Sequence, residues 1–360
     1  MTAPTIAHQR LANQRLAANP FAQPAEVVQW LGAVQAQDYA AAKWALGLRL
    51  RAATDDSVEQ AFADGMILRT HVLRPTWHFV APADIHWLLA LTAPRVQALN
   101  APYYRKLELD ENLFQRSASA LVHALAGDRH LTRAEVRTVL EGVGIATTGE
   151  FRLSYLLMQA ELVGLLCSGP RRGKQHTYAL LDERVPLAQR FKPAEPAAEL
   201  ARRYCLSRSP ATVQDFAKWS GLTITTANAG LEAVKSQLQH QMIAGQSYWC
   251  SPDLPTLDDQ TPSAYLLSIY DEYISSYKDR SAMVEPSFSA RLSALGNDLT
   301  AIIVLNGQIV GTWKRTRKKT AVAVTPTLFT SLTEAKSRAL DRAIERYAAF
   351  LKLPVSLDIR

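Results

Sequence analysis

The sequence feature that most constrains the fold is an order of elements that occurs three times: helical segments, then short apolar runs joined by a turn. In the middle of the chain, residues 113–125 have helical spacing, and Thr132 with Glu135 forms a capping box at the start of a second helix. Residues 151–163 predict a third helix. Three successive helices are therefore expected between residues 113 and 163.

A hairpin is predicted directly after those helices. Residues 165–167 and 177–180 are short strand-like runs, and the turn between them at 168–174 is basic. Three helices followed by a hairpin with a basic turn are typical of a winged helix.

The same order of elements occurs once before and once after this segment. Helices are predicted at 9–18, 24–37 and 57–65 with strands at 66–72 and 76–80, and then helices at 196–206, 211–220 and 224–238 with a strand at 248–250. The spacing is too irregular for a solenoid, so the repeated unit is a module and not a sequence motif.

Beyond a loop at 252–262, rich in Pro and Asp, the pattern changes from helical to strand-like. Strands are predicted at 264–269, 302–305, 309–313 and 321–324, turns at Asn306-Gly307 and 314–319, and a closing helix at 332–351. The predicted fold is mainly α with an α+β C-terminal part. It consists of three tandem winged-helix domains, at 1–108, 109–192 and 193–252, followed by a β-rich domain at 263–360.

Composition excludes several classes of protein. Cys167, Cys205 and Cys250 lie far apart with no CxxC pair, which excludes a disulfide framework and a structural zinc site and favours a reducing cytosol. The first residues have no apolar stretch typical of a signal peptide, and no run of eighteen apolar residues occurs anywhere. We therefore expect a cytoplasmic protein without a membrane span.

The net charge of +7 is concentrated at one end of the chain. From residue 301 onward there are eleven Lys and Arg against four Asp and Glu, whereas the first 300 residues are balanced. Such asymmetry favours a polyanionic partner, most often nucleic acid; a solvated basic helix face is the other reading.

A winged helix usually binds duplex DNA through its third helix, so a transcription regulator is the first function to consider. The helix at 151–163 offers only Arg152 and Gln159 to base edges, and the acidic Glu161 opposes them. The helix at 224–238 is equally unsuited to base recognition. The cations lie instead in the predicted turns, at Arg171, Arg172, Lys174, Arg315, Arg317, Lys318 and Lys319. This distribution favours phosphate contacts without sequence choice.

Two glutamines lie at the end of the helix predicted at 24–37, and one of them occupies a position where a core residue is expected. Gln37 occupies the next position of the apolar stripe that includes Val34, and Gln35 lies two residues before it. Residues two apart in a helix face different ways, so both can line one pocket only if the helix ends here and the backbone becomes extended. The other reading is a role in capping the helix end.

Several segments in order give these glutamines a context. They are VQAQDY at 34–39, WALGL at 44–48, LRT at 68–70, LRPTWHFV at 73–80, YDEY at 270–273, YKDR at 277–280 and VGTW at 310–313. Together they resemble the tandem winged-helix DNA glycosylase family of AlkZ type, over roughly residues 8 to 355. Known members remove alkylated purines and unhook interstrand crosslinks. The family's two catalytic side chains flank one apolar residue, and Gln35-Ala36-Gln37 resembles its Gln-x-Gln branch.

The chemistry of two carboxamides agrees with the removal of alkylated purines that the resemblance implies. An alkylated N3 or N7 purine is cationic and already a good leaving group, so the barrier is the positive charge that develops on deoxyribose. Neutral carboxamide oxygens can position a water and stabilise this charge, but they cannot easily deprotonate the water. The first lysine after the motif is Lys43, so Schiff-base strand cleavage is not indicated and a monofunctional enzyme without a cofactor is expected.

The resemblance adds candidate neighbours of the active site: Asp38, Arg69 and His78. A structural hydrogen bond is the other reading of His78. His71, His78 and His86 do not match a compact ligand set, so no metal is expected. Asp271, Tyr277, Lys278 and Arg280 are interpreted first as a buried polar network that joins domains, and Trp44 as a core residue.

The resemblance implies a DNA repair enzyme that hydrolyses N-glycosidic bonds of alkylated purines in duplex DNA held on a C-shaped concave surface. We expect a monomer in the cytoplasm, associated with the nucleoid, with no obligate protein partner. The alternative is a non-enzymatic winged-helix DNA-binding protein or transcription regulator. The sequence leaves open which lesion is the physiological substrate, whether crosslinks are unhooked, and whether the role is self-resistance or general repair.

Overall fold

The computed structural model describes residues 3–17, 20–149, 151–253, 262–294, 300–317 and 320–357 of the 360-residue chain. Two of the predicted phosphate contacts, Lys318 and Lys319, lie outside these ranges.

The N-terminal segment contains five helices and a three-stranded antiparallel sheet of order β1-β3-β2 in its described residues. Its elements are α1 (Ala3–Asn13), α2 (Pro24–Leu31), β1 (Val34–Gln35), α3 (Tyr39–Gly47), α4 (Asp55–Ala63), β2 (Leu68–Val72), β3 (Thr76–Val80) and α5 (Ile85–Lys106).

The prediction of one helix over 24–37 was wrong. Helix α2 ends at Leu31 because Gly32 follows it at φ 72°, with its N–H bonded to the carbonyl of Gln29. The backbone then becomes extended in β1. Val34 stays buried in the strand, so the apolar spacing continued past the real end of the helix. Helix α3 was not predicted at all.

The middle segment has the element order predicted for it, with one added strand. Its elements are α6 (Glu111–Leu125), β4 (Leu131–Thr132), α7 (Arg133–Gly142), α8 (Arg152–Leu162), β5 (Leu166–Arg172), β6 (Gln175–Leu180) and α9 (Leu181–Arg184). The strands form a sheet of order β4-β6-β5. The predicted turn at 168–174 shrinks to two residues, because β5 extends through Arg172 and Gly173 turns the chain at φ 62°.

The third segment packs three helices with one hairpin. Its elements are α10 (Pro196–Arg208), α11 (Val213–Ser220), α12 (Ile224–Ala233), β7 (Gln239–Ile243) and β8 (Gln246–Cys250). The helix predicted at 224–238 ends early, and β7, a strand missing from the prediction, begins at Gln239. Single 3₁₀ turns cover Leu187–Gln189, Lys235–Gln237 and Ser281–Met283.

The C-terminal segment is a curled half-barrel with helices packed on it. Its elements are β9 (Ala264–Leu267), α13 (Glu272–Ser275), α14 (Pro286–Ala294), β10 (Ile302–Leu305), β11 (Gln308–Arg317), β12 (Val322–Leu328), α15 (Glu334–Leu351) and β13 (Val355–Leu357), and its strand order is β13-β12-β11-β10-β9. The turn predicted at 314–319 was wrong in extent. Arg315 and Arg317 lie in β11, paired with Val324 and Val322.

One hydrophobic core joins the N-terminal, third and C-terminal segments, whereas the middle segment has a core of its own. Trp44 of α3 confirms its predicted place in the core. Its ring contacts Tyr347 and Phe350 of α15 at centroid distances of 4.8 and 5.1 Å, and its indole N–H donates to the carbonyl of Leu266 at 2.7 Å. The two ends of the sequence therefore fold together.

A buried polar network crosses the same junction. Arg49 makes a bidentate pair with Asp271 at 3.0 and 3.1 Å, with both side chains fully buried. The hydroxyl of Tyr277 donates to the carbonyl of Arg208 at 2.8 Å. Asp271 and Tyr277 thus join segments as predicted. Lys278 contributes only its backbone N–H, because its side chain is exposed.

Glu272 accepts four hydrogen bonds in this network. Its carboxylate receives them from the Gln35 N–H at 2.9 Å, Arg208 at 2.8 Å, the Trp219 indole at 2.9 Å and the Ser276 hydroxyl at 2.7 Å. Burial raises the pKa of Glu272, but the Arg208 guanidinium and these hydrogen bonds outweigh burial and lower it to about 2. The carboxylate is therefore charged throughout the physiological range.

We predict that folding stability depends on this charge. Because the pKa of Glu272 falls from its ordinary 4.5 to about 2, the contribution is complete above about pH 4.5 and is lost as pH falls toward 2. Glu272→Gln should lower the free energy of unfolding at pH 7 by about 3–5 kcal/mol, because it leaves the buried Arg208 charge without its partner. Its stability should also change less between pH 4.5 and 2.

Urea unfolding at a series of pH values measures both effects. The control is Glu232→Gln, which removes an exposed carboxylate paired with Lys235 and should change stability by less than about 0.5 kcal/mol. Equal unfolding midpoints for the two variants at pH 7 would contradict the prediction.

Candidate active site

Gln35 lies in the extended strand β1, and Gln37 follows two residues later in a bend. Gln35 pairs with His78 across β1 and β3, and the N–H of Ala36 donates to the carbonyl of Trp77 at 2.7 Å. The N–H of Gln35 donates to Glu272. The predicted change from helix to extended backbone at Gln35 is therefore present.

The Gln35 side chain is buried, with 7% of its surface exposed. Its Oε1 accepts a hydrogen bond from the Arg74 guanidinium at 2.9 Å. A guanidinium only donates, so the atom that faces it is the carboxamide oxygen and the amide nitrogen points elsewhere.

Gln37 differs from Gln35 because its side chain is exposed. It lines a cavity of about 730 Å³ between the first sheet and the middle segment, and its Oε1 accepts from the Trp77 backbone N–H at 3.3 Å. The other lining residues are Tyr39, Arg69, Trp77, Thr132, Arg133, Ala134, Arg137, Ser154, Gln175, His176 and Tyr178. Gln35 is not among the described residues that line it.

Of the three predicted neighbours, Arg69 reaches this cavity and Asp38 does not. Arg69 donates to the carbonyl of Ala36 at 3.0 Å and lies 4.4 Å from the Trp77 ring. Burial lowers the pKa of Arg69 to about 10, which leaves it charged. Asp38 caps α3 by accepting from the Ala41 N–H at 2.8 Å, and it lines a separate cavity of about 180 Å³.

His78 is fully buried beside Gln35. Its Nδ1 lies 2.9 Å from the carbonyl of Thr76, which can only accept, so Nδ1 carries the proton. Burial first, and then the charge of Arg74, lower the pKa of His78 to about 3, so the ring is neutral near pH 7. His78 therefore makes the structural hydrogen bond that was one of the two readings of this residue.

The three histidines do not form a metal site. His71 pairs with Glu161, His78 bonds to Thr76, and His86 lies 4.0 Å from Asp182. No three His, Cys, Asp or Glu residues in the described part of the chain are grouped so that they could hold a metal ion.

The predicted phosphate contacts in the middle segment are mostly engaged within the protein. Arg171 pairs with Glu59 at 3.2 Å and lies 5.0 Å from the Tyr39 ring. Arg172 pairs with Glu135 at 2.6 Å but stays 56% exposed, and Lys174 is exposed.

Arg315, in the C-terminal segment, donates to the Tyr347 hydroxyl at 2.7 Å. Lys318 and Lys319 lie outside the described residues.

Sequence reasoning missed two cations that line the cavity. Arg133 and Arg137 are exposed on α7, one turn apart, and Arg133 also donates to Ser154 at 2.8 Å. Their four-residue spacing on an exposed helix face was a signal that could have identified them. His176 lies on the same cavity wall, and burial lowers its pKa to about 4.

Helix α8, in the position of a recognition helix, is used for packing. Glu161 is buried against His71 of β2, and Gln159 accepts from Tyr104 of α5 at 3.2 Å. Arg152 donates to the carbonyls of Ala146 and Leu107. The polar side chains of α8 considered for base reading are therefore engaged inside the protein.

A family model described as DNA glycosylase AlkZ-like matches residues 28–350. The chain belongs to this DNA glycosylase family. A relative from Streptomyces sahachiroi, named interstrand DNA cross-link repair glycosylase, is 25% identical over an alignment 363 residues long. The alignment covers 96% of this chain and 96% of that protein. The solved structure of Streptomyces sahachiroi DNA glycosylase AlkZ matches with a TM-score of 0.79 at 22% identity, covering 99% of this chain and 100% of that chain.

In this AlkZ-like glycosylase, the turn that carries Arg74 is held by two distant segments. Leu73 has φ 63°, and its N–H donates to the Thr92 hydroxyl at 3.1 Å. Gly221, at the end of α11, packs so closely that a Cβ there would lie 2.3 Å from the carbonyl oxygen of Leu73. Only glycine allows this approach.

We predict that Gly221→Ala destabilises the protein more than Gly245→Ala. Both glycines have positive φ, 72° and 78°, so both changes add backbone strain of about 1 kcal/mol. Gly245 has open space around it, whereas alanine at 221 displaces the turn at a further cost of about 1–3 kcal/mol. Urea unfolding midpoints of the two variants measure the difference, and equal midpoints would rule out the close contact.

Proposed function

We propose that this chain is a monofunctional DNA glycosylase that hydrolyses the N-glycosidic bond of alkylated N3 and N7 purines, with Gln35 and Gln37 as its catalytic residues. The observation that carries the proposal is the motif strand. It presents Gln37 to a cavity of about 730 Å³ and holds Gln35 two residues away, in a member of a DNA glycosylase family.

The proposed reaction needs only water and duplex DNA. The bond between the sugar C1′ and the purine nitrogen breaks, its electron pair leaves with the cationic base, and the water oxygen bonds to C1′ and releases a proton to solvent. The carboxamide oxygen of Gln37 is placed to position that water and to stabilise the positive charge on the sugar. A purine crosslinked through N7 carries the same charge, so we include crosslinked purines among the substrates.

The architecture supports binding of a duplex along one side of the molecule. We propose three winged-helix domains at 1–108, 109–192 and 193–252 and a C-terminal domain at 263–360, curved into a C-shaped concave surface. The cavity that includes Gln37 opens between the first and second of these. Arg133 and Arg137 lie on its wall, and Arg172 and Lys174 are close in sequence to the wall residue Gln175. These cations suit phosphate contacts without base reading.

We further propose that the protein acts as a monomer in the cytoplasm, on the nucleoid, without a cofactor or an obligate protein partner. None of the helices in the described stretches combines the length and the apolarity needed to cross a bilayer. All three cysteines are unpaired and buried, which suits a reducing compartment.

We predict that Gln35→Ala and Gln37→Ala each slow base release by roughly 10–1000-fold while DNA affinity stays nearly unchanged, because the proposed catalytic centre loses one of its two preorganised polar side chains. Single-turnover release of N7-methylguanine from duplex DNA measures the rate. The control is Gln29→Ala, which truncates an exposed glutamine on α2.

The same assay separates the enzyme from a winged-helix regulator. The enzyme should release cationic N3- and N7-alkylpurines, ignore neutral lesions such as uracil, and bind undamaged duplexes of different sequence alike. No base released from any alkylated duplex, together with a strongly preferred undamaged sequence, would favour the regulator. Wild-type rates of base release in both glutamine variants would show that Gln35 and Gln37 have a structural role and not a catalytic one.

A second prediction concerns the cations. Arg133→Gln with Arg137→Gln should weaken binding to any duplex and reduce the slope of log affinity against log salt by about two, because each phosphate contact releases about one counterion. Substitution of Arg315, Arg317, Lys318 and Lys319 together should reduce this slope by up to about four.

Titrations of damaged and undamaged duplexes at several salt concentrations measure the slope for both variants. The loss of affinity should be equal for the two duplexes. A slope unchanged in both variants would mean that another surface binds the DNA.

A further inference from the structure

We infer that Arg74 is a positioning residue for catalysis, acting through the carboxamide of Gln35. The inference rests on the proposed function, in which the motif forms the catalytic centre. Arg74 lies in the turn between β2 and β3, and its guanidinium bonds to Gln35 Oε1 at 2.9 Å.

This bond makes the two glutamines unequal. The oxygen of Gln35 is engaged by a permanent cation, so a flip of the carboxamide would break this bond, and the amide group points away from Arg74. Gln37 keeps its side chain exposed at the cavity. The Gln37 oxygen accepts one bond from the Trp77 N–H and keeps a second lone pair, so in our inference Gln37 presents an oxygen to the water. The orientation of Gln35 is set by Arg74.

Gln35 is fixed at both ends by groups of opposite charge. Its backbone N–H donates to the buried carboxylate of Glu272, and its side-chain oxygen accepts from the guanidinium of Arg74. A carboxamide held in this way loses little conformational freedom when the transition state forms.

The position of Arg74 is itself fixed by the turn. The contacts of Leu73 with Thr92 and Gly221 hold the backbone directly before Arg74. Arg74 is not among the described residues that line the cavity, and its guanidinium is engaged with the Gln35 carboxamide. A guanidinium in direct contact with that sugar would oppose the reaction, which is why we assign Arg74 a positioning role and not contact with the substrate.

The test is the single-turnover rate of base release in Arg74→Met and Arg74→Lys. Arg74→Met should reduce the rate roughly 10–100-fold with DNA affinity unchanged, because the carboxamide becomes free to rotate. Arg74→Lys keeps a cationic donor and should recover part of the loss. The control is Arg190→Met, which removes a guanidinium paired with Asp182 outside the cavity and should leave the rate unchanged.

A double-mutant cycle tests whether Arg74 acts through Gln35. When combined with Gln35→Ala, Arg74→Met should slow the reaction no further, whereas its effect should add to that of Gln37→Ala. Additive effects with Gln35→Ala, or a wild-type rate in Arg74→Met, would overturn the inference.

Side-chain amide NMR of the free protein separates this inference from the proposed function. In Arg74→Met the NH₂ signals of Gln35 should shift and exchange faster with water, while those of Gln29 stay in place. This result would support the contact even if the wild-type protein released no base, an outcome that would overturn only the proposed function. Gln35 signals that do not move would overturn the inference whatever the activity.

Discussion

The buried carboxylate of Glu272 is the interaction on which the rest of the site depends. It joins the third segment through Arg208 and Trp219, and the motif strand through the N–H of Gln35. A charge buried this deeply is tolerated only when every lone pair finds a donor, so the four donors must come together for the chain to fold. The strand that carries the glutamines is therefore tied to the core of the protein.

The site combines a buried carboxamide at the end of β1 with an exposed carboxamide in the bend that follows it. Gln35 faces Arg74 and the neutral, buried His78, whereas Gln37 faces a cavity whose wall comes from the middle segment. The middle segment has a hydrophobic core of its own and also contributes Cys167 and Leu181 to the shared core, so the cavity lies between two bodies that pack on each other. In our proposal the first body supplies the chemistry and the second supplies part of the wall and the cations that hold DNA.

Helix α8 uses the polar side chains considered for base reading in contacts within the protein. Glu161 and Gln159 face β2 and α5, so the helix that reads bases in many winged-helix proteins here fastens the middle segment to the first. Arg171 and Arg172 are paired with Glu59 and Glu135. A family of DNA glycosylases needs selectivity in the reaction more than in sequence recognition, and this arrangement is compatible with that need.

The sequence by itself determined the order of helices and the hairpin in the middle segment, because helical spacing, capping boxes and turn residues act over a few positions. It also indicated the core position of Trp44 and singled out the glutamine pair and the polar residues Asp271 and Tyr277, whereas α3 and β7 were not predicted. It did not determine the end of α2, which depends on the φ of Gly32, nor the extent of β11, since strand length is set by pairing with β12. Only the tertiary structure decided that Gln35 is buried and Gln37 exposed. The reason is distance along the chain: Arg74 lies 39 residues from Gln35 and Glu272 lies 237 residues away, and no local pattern records such contacts.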